Sequence, residues 1–128
     1  MQTLQTHLSI DTSLSGRVVI QKDNFSRVLL NTTHAMRADS QGLVHGGFIF
    51  GAADYAAMCA VNDPYVVLGS SSSKFIAAVK VGDAVILEAK VVSLKGKKRE
   101  VKVIGKVEDR EVFEGIFTTF VLDKHVLG

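Results

Sequence analysis

Residues 46–61 read GGFIFGAADYAAMCAV: glycine, alanine and larger apolar side chains, with a single charge at Asp54. At helical spacing Phe50, Asp54, Met58 and Val61 fall on one face, so the carboxylate lies inside an apolar stripe. A helix that is apolar all round is buried in the folded molecule. A buried carboxylate is costly unless it has partners, so Asp54 is expected to be hydrogen-bonded, protonated, or set in a cleft where it does chemistry. His45-Gly46-Gly47 stands directly before the helix, a flexible turn able to offer free backbone N–H groups at the positive end of the helix dipole. A buried acid and an anion-stabilising helix start together point to a hydrolytic site.

Composition narrows the classes. A chain of 128 residues reads as one domain, residues 1–128, with residues 1–15 as an N-terminal arm, and it is long enough to bury a core without disulfides. The 47% apolar and 22% charged fractions are those of an ordinary globular protein. Cys59 has no second cysteine to pair with and reads as a small core residue of the helix. The start, MQTLQTHLSIDTS, lacks the basic and apolar regions of a signal peptide. No apolar run reaches the ~20 residues of a membrane span, so no membrane is expected and the cytoplasm is the expected address. His7, His34, His45 and His125 are scattered without ligand spacing, so neither a metal site nor a bound cofactor is expected.

Strands dominate the rest. Arg17–Gln21 and Phe25–Thr33 are rich in β-branched and aromatic residues, and Lys22-Asp23-Asn24 between them makes a hairpin turn. Asn62-Asp63-Pro64 stops the helix. Strand-like segments follow over about Tyr65–Val79 and Ala84–Leu94. A third, around Val101–Val107, alternates apolar and charged residues and has one wet face. Glu108-Asp109-Arg110 turns into a last strand, Val112–Leu122. Short turns between long neighbours imply an antiparallel sheet. One apolar helix among five or six such strands is buried only if the sheet curls around it.

The segment from His45 to Asn62, HGGFIFGAADYAAMCAVN, resembles the PaaI-like acyl-CoA thioesterases of the hot dog superfamily. The match rests on His45, Gly46, Gly47, Phe50, Asp54 and Asn62, and the strand order extends it from about Gly16 to Leu122. The resemblance implies an α+β hot dog fold, a curled antiparallel sheet wrapped around one long central helix. It implies Asp54 as the base or nucleophile toward an acyl-CoA thioester, Gly47 or Gly46 as oxyanion donor, and His45 as an orienting residue. It also implies a site shared between subunits of a homodimer or dimer of dimers, with coenzyme A entering only as part of the substrate.

Many relatives carry Asn six residues before the His of HGG, where this chain has Asp39. An ionised Asp39 can accept a hydrogen bond but not donate one; it is either a substrate-site residue or a loop aspartate beside Arg37. The segment Lys95–Lys102, KGKKREVK, concentrates a net +4 while the whole chain carries +2. Read as a loop, it is either a solvated tip or a phosphate clamp of Lys95, Lys97, Lys98 and Arg99. It has no interleaved aromatics, which argues against nucleic acid. Ser72 and Ser73, in the run Ser70–Ser73, are candidates to direct a hydroxyl at the catalytic water. Phe48, Phe50, Tyr55 and Phe75 are candidate pocket residues, although such spacing also suits a core.

Two other functions stay open at this level. Effector domains of Gram-positive fatty-acid regulators use the same fold to bind acyl-CoA without hydrolysis, but with an attached DNA-binding segment that is not expected here. The hydratase branch presents a His and a carboxylate in another arrangement, and HGG with Asp in the helix argues against it.

Overall fold

The structure, a computed structural model, describes residues 2–128. A short helix α1 (Thr12–Ser15), capped by the Asp11 side chain on Ser13 N, precedes strands β1 (Arg17–Lys22) and β2 (Phe25–Asn31). Lys22 pairs with Phe25, and Asn24 between them adopts φ 60°, a backbone region that Asn tolerates better than most residues. The hairpin expected there is present. A 3-10 turn at His34–Met36 leads to the central helix α2 (Gly46–Val61), and then come β3 (Val66–Phe75), β4 (Ala84–Lys95), β5 (Lys98–Val107) and β6 (Arg110–Val121).

The six strands form one antiparallel sheet in the order β1-β2-β4-β5-β6-β3. The sheet curls around α2, which is the hot dog fold. Alanine makes the wrapping tight. Ala52, Ala53, Ala56, Ala57 and Ala60 are buried against Val28, Leu30, Val85, Leu87, Val101 and Val103, and their short side chains bring strand and helix backbones close together. Ser26 Oγ donates to Ala56 O at 2.6 Å and Gln21 Nε2 to Cys59 O at 3.2 Å. Strand side chains thus reach helix carbonyls directly.

Asn62 ends α2 in the left-handed region, φ 53° and ψ 45°, its N–H donating to Met58 O. Its side chain also fastens the N-terminal arm, accepting from Gln5 N at 2.7 Å and donating to Thr3 O at 3.0 Å.

Several boundaries differ from expectation by a few residues, and two of the differences bear on the site. The strand expected over Tyr65–Val79 is shorter. Ile76 N turns to Val112 O, and Val79 O accepts from Val44 N at 2.8 Å, so the chain leaves the sheet edge to brace the segment before α2. The basic segment Lys95–Lys102 is not a loop. Lys95 pairs with Lys98 across a two-residue turn, Gly96-Lys97, and Lys98–Lys102 belong to β5. Alternation with Glu100, Val101 and Val103 on a half-wet strand resembles a charged loop when read by charge alone.

Candidate active site

The two glycines of the motif are the first two residues of α2, not a separate flexible turn. Neither has a positive φ; what requires glycine is space. A Cβ at Gly46 would lie 3.2 Å from the Phe75 ring, and one at Gly47 would lie 3.0 Å from His45 Nε2. Backbone bonds pin the approach, with His45 N donating to Met36 O at 2.9 Å and Val44 N to Val79 O. His45 is the N-cap but makes no side-chain capping bond, and its exposed ring stands edge-on to Phe48. The first helical N–H groups, which have no intrahelical acceptor, are therefore held in place between the His45 and Phe75 rings.

Asp54 lies two turns further along the same helix. The side chain is half-buried, yet its Oδ1 is buried and has no hydrogen-bond partner among the described residues. Desolvation pushes its pKa up to about 6. Gly47, Gly51 and Asp54 follow one another along a single face at helical spacing. A Cβ at Gly51 would meet nothing within 4 Å, so the face before the carboxylate opens onto free space. Phe50 closes one side, its ring 5.4 Å from Phe117 of β6.

The serine run divides by strand alternation. A register shift between Leu68 and Ser70 pairs Ser71 with Phe117, Ser73 with Gly115, and Phe75 with Phe113, all on the helix-facing side. Ser72 pairs with Ile116 and borders a shallow groove on the outer face with Lys74 and Lys102. The inner hydroxyls are thus those of Ser71 and Ser73, whose Oγ atoms are 2.7 Å apart. Ser71 was missed in the sequence because the irregularity at Gly69 resets the alternation.

The remaining candidates lie elsewhere. Asp39 Oδ1 accepts from Gln41 N at 2.9 Å and Leu43 N at 3.2 Å, closing its own exposed turn. Lys97 pairs with Asp123 at 2.8 Å and Lys98 with Glu100 at 3.6 Å. Arg99 Nη1 donates to Gly96 O and Lys98 O, and Lys95 is exposed. Of the aromatic candidates, Tyr55 belongs to the core, whereas Phe75 is exposed beside Gly46. Among the described residues, no helix is long and apolar enough to cross a membrane.

The helix start, Asp54 and most of the sheet fall within residues 41–114, the stretch matched by the thioesterase superfamily profile. The chain belongs to the thioesterase superfamily. A solved structure of an uncharacterized protein from Pyrococcus horikoshii shares 45% identity with this thioesterase-superfamily chain, at TM-score 0.98, over 99% of this chain and 98% of that one. PaaI of Escherichia coli, at 19% identity, TM-score 0.81 and coverage of 89% and 84%, shares the fold. Methylthioribose-1-phosphate isomerase of Aquifex aeolicus is 50% identical over 121 residues, 94% of this chain and 26% of that protein. Transcription factor FapR of Thermoanaerobacter is 34% identical over 85 residues, 66% of this chain and 42% of that protein. The chain thus spans a quarter to two-fifths of the length of these two relatives.

Proposed function

We propose that the protein is an acyl-CoA thioesterase in which Asp54 is the general base. The observation that carries this reading is the buried Oδ1 of Asp54, which has no hydrogen-bond partner among the described residues and lies one turn beyond the open position of Gly51 on α2. A carboxyl group with its pKa near 6 is largely ionised at neutral pH, yet basic enough to take a proton from water. The resulting hydroxide adds to the thioester carbonyl carbon. The carbonyl oxygen gains negative charge and accepts hydrogen bonds from the Gly47 or Gly46 N–H at a helix N-terminus. Collapse breaks the C–S bond, and the thiolate leaves with the proton that Asp54 had taken. Direct attack by the carboxylate, giving a mixed anhydride, is the alternative path. Single turnover in oxygen-18 water identifies the anhydride path where label enters Asp54, which happens when water opens the anhydride at the Asp54 carbonyl carbon.

The helix start and the base belong to different copies in this proposal. Asp54 follows Gly47 by seven positions, about 10 Å along the axis, a separation that favours a site assembled from two copies. A homodimer, or a dimer of dimers, brings one copy's His45-Gly46-Gly47 to the other's Asp54. The unpaired edge of β3 supports such pairing, since open sheet edges favour further strand pairing.

The likeness to transcription factor FapR favours a second reading, a regulator that binds acyl-CoA without hydrolysing it. A panel of acyl-CoAs tests both. Thiol release by the parent and not by Asp54→Asn supports hydrolysis, whereas binding without release by either protein supports the regulator.

A further inference from the structure

Two cavities meet near the start of α2. A broad cleft of about 600 Å³ is bordered by Asp39, Lys80, Asp83 and Arg110. An apolar pocket of about 250 Å³ ends at Gly46 and is walled by Ile49, Phe75 and Val112. Leu43, Ala78 and Val79 line both, so the two spaces adjoin along these residues. Leu43 and Phe75, large apolar residues, are 42% and 56% exposed, which leaves the passage with an uncovered apolar rim.

The charges of the outer cleft are unequally engaged. Asp39 is held by Gln41 N and Leu43 N. Asp83 accepts from Lys80 N at 2.9 Å and faces Arg110 Nη2 at 3.8 Å. Arg110 also donates to Ala78 O at 2.7 Å, bracing the shared wall. Among the described residues, the Lys80 ammonium has no carboxylate within 4.0 Å. It is the free cation of the cleft.

We infer that this cleft receives the phosphorylated nucleotide end of the acyl-CoA, with Lys80 contacting phosphate, and that the apolar passage beyond it carries the pantetheine arm toward Gly46. The assignment rests on the thioesterase reading. Along an acyl-CoA the order of groups is phosphates, a mostly apolar arm, then the thioester, and along the two cavities it is cation, apolar wall, then helix N-terminus. An ammonium suits phosphate as a compact point charge. Three of the cations at the β4–β5 turn are less available, because Lys97 and Lys98 already pair with carboxylates and Arg99 with carbonyls.

The test compares coenzyme A with pantetheine, which lacks the nucleotide, by calorimetric titration of the full chain. Lys80→Glu alters an exposed side chain whose backbone bridge to Leu43 needs no ammonium. It should raise the dissociation constant for coenzyme A about tenfold and leave that for pantetheine unchanged, with the difference shrinking as salt is added. The triple variant Lys97→Ala, Lys98→Ala, Arg99→Ala should have a smaller effect. Undiminished coenzyme A binding by Lys80→Glu overturns the assignment while leaving a hydrolytic parent a thioesterase. Equal losses for coenzyme A and pantetheine overturn it too. A parent that binds neither compound removes the thioesterase reading together with this one.

Discussion

Ser71 and Ser73 share a 2.7 Å hydrogen bond on the side of β3 turned toward α2, while Ser72 between them borders a groove on the outer face. Alternation along the strand therefore predicts unequal effects from three identical substitutions. Ser73→Ala should lower turnover of a good acyl-CoA by roughly tenfold, the scale of one lost hydrogen bond. Ser71→Ala should act in the same direction and Ser72→Ala should leave turnover unchanged. Steady-state kinetics on the three variants decides; a Ser72 effect equal to that of Ser73 would put the hydroxyl requirement outside the cleft.

Asp54→Asn keeps the shape and removes the base. Turnover should drop by about 10²-fold or more while acyl-CoA still binds. A folded Asn variant as fast as the parent on every thioester tested would show that Asp54 is not the base.

The same substitution has a stability signature whose sign follows from burial. The Asp54 pKa is raised from its ordinary value of 3.8 to about 6, so the folded state holds a proton that the unfolded chain releases. Its contribution falls as pH rises from about 4 to about 6, and the full penalty, no more than ~3 kcal/mol, is present above that range. Asp54→Asn should therefore melt several degrees higher than the parent at pH 8 and at the same temperature near pH 3.5. A variant that melts lower at pH 8 would mean that the ionised carboxylate has partners in the assembled protein.

Activity should follow the opposite limb. Because the base works only when ionised, kcat should fall roughly tenfold per pH unit below about 6. The residual rate of Asp54→Asn should lose this limb. A parental profile flat down to pH 4.5 would separate the chemistry from Asp54.

Shared sites predict rescue on mixing. Gly47→Val crowds the His45 ring and should cut turnover about 10²-fold or more by itself, as should Asp54→Asn. Unfolded together and refolded at equal amounts, the two should regain about a quarter of parental activity, since half of a random dimer population carries one intact site of two. No recovery, with heterodimers verified by mass spectrometry, would place both residues in one chain's site.

Much of this was legible in the sequence, and the parts that were not share a cause. Helix α2 was legible up to its end at Val61, because a long alanine-rich run without a polar face leaves no alternative period, whereas Gly46 and Gly47, read as a turn before it, form its first two residues. The alternation of β5 around Val101 and Val103 was equally plain. The inner serines were not, since the register shift between Leu68 and Ser70 depends on pairing with Thr119 and Thr118 of β6, about fifty residues later. The short β4–β5 turn was hidden because lysines on a wet strand face look like lysines in a loop. The unpartnered Oδ1 of Asp54 and the free Lys80 depend on what surrounds each group in space, which no local window contains.

The sheet order also bears on how the chain folds as it leaves the ribosome. β3 is synthesised directly after α2, yet its only strand partner in the sheet is β6, the last to emerge. Until residues 110–121 are out, β3 has no partner and the apolar helix lacks part of its cover. Closure of the sheet must then wait for β6 and is dominated by distant pairings, which slows folding and leaves nascent chains prone to aggregation. A message truncated before β6 should accordingly yield insoluble chains and no smaller folded core.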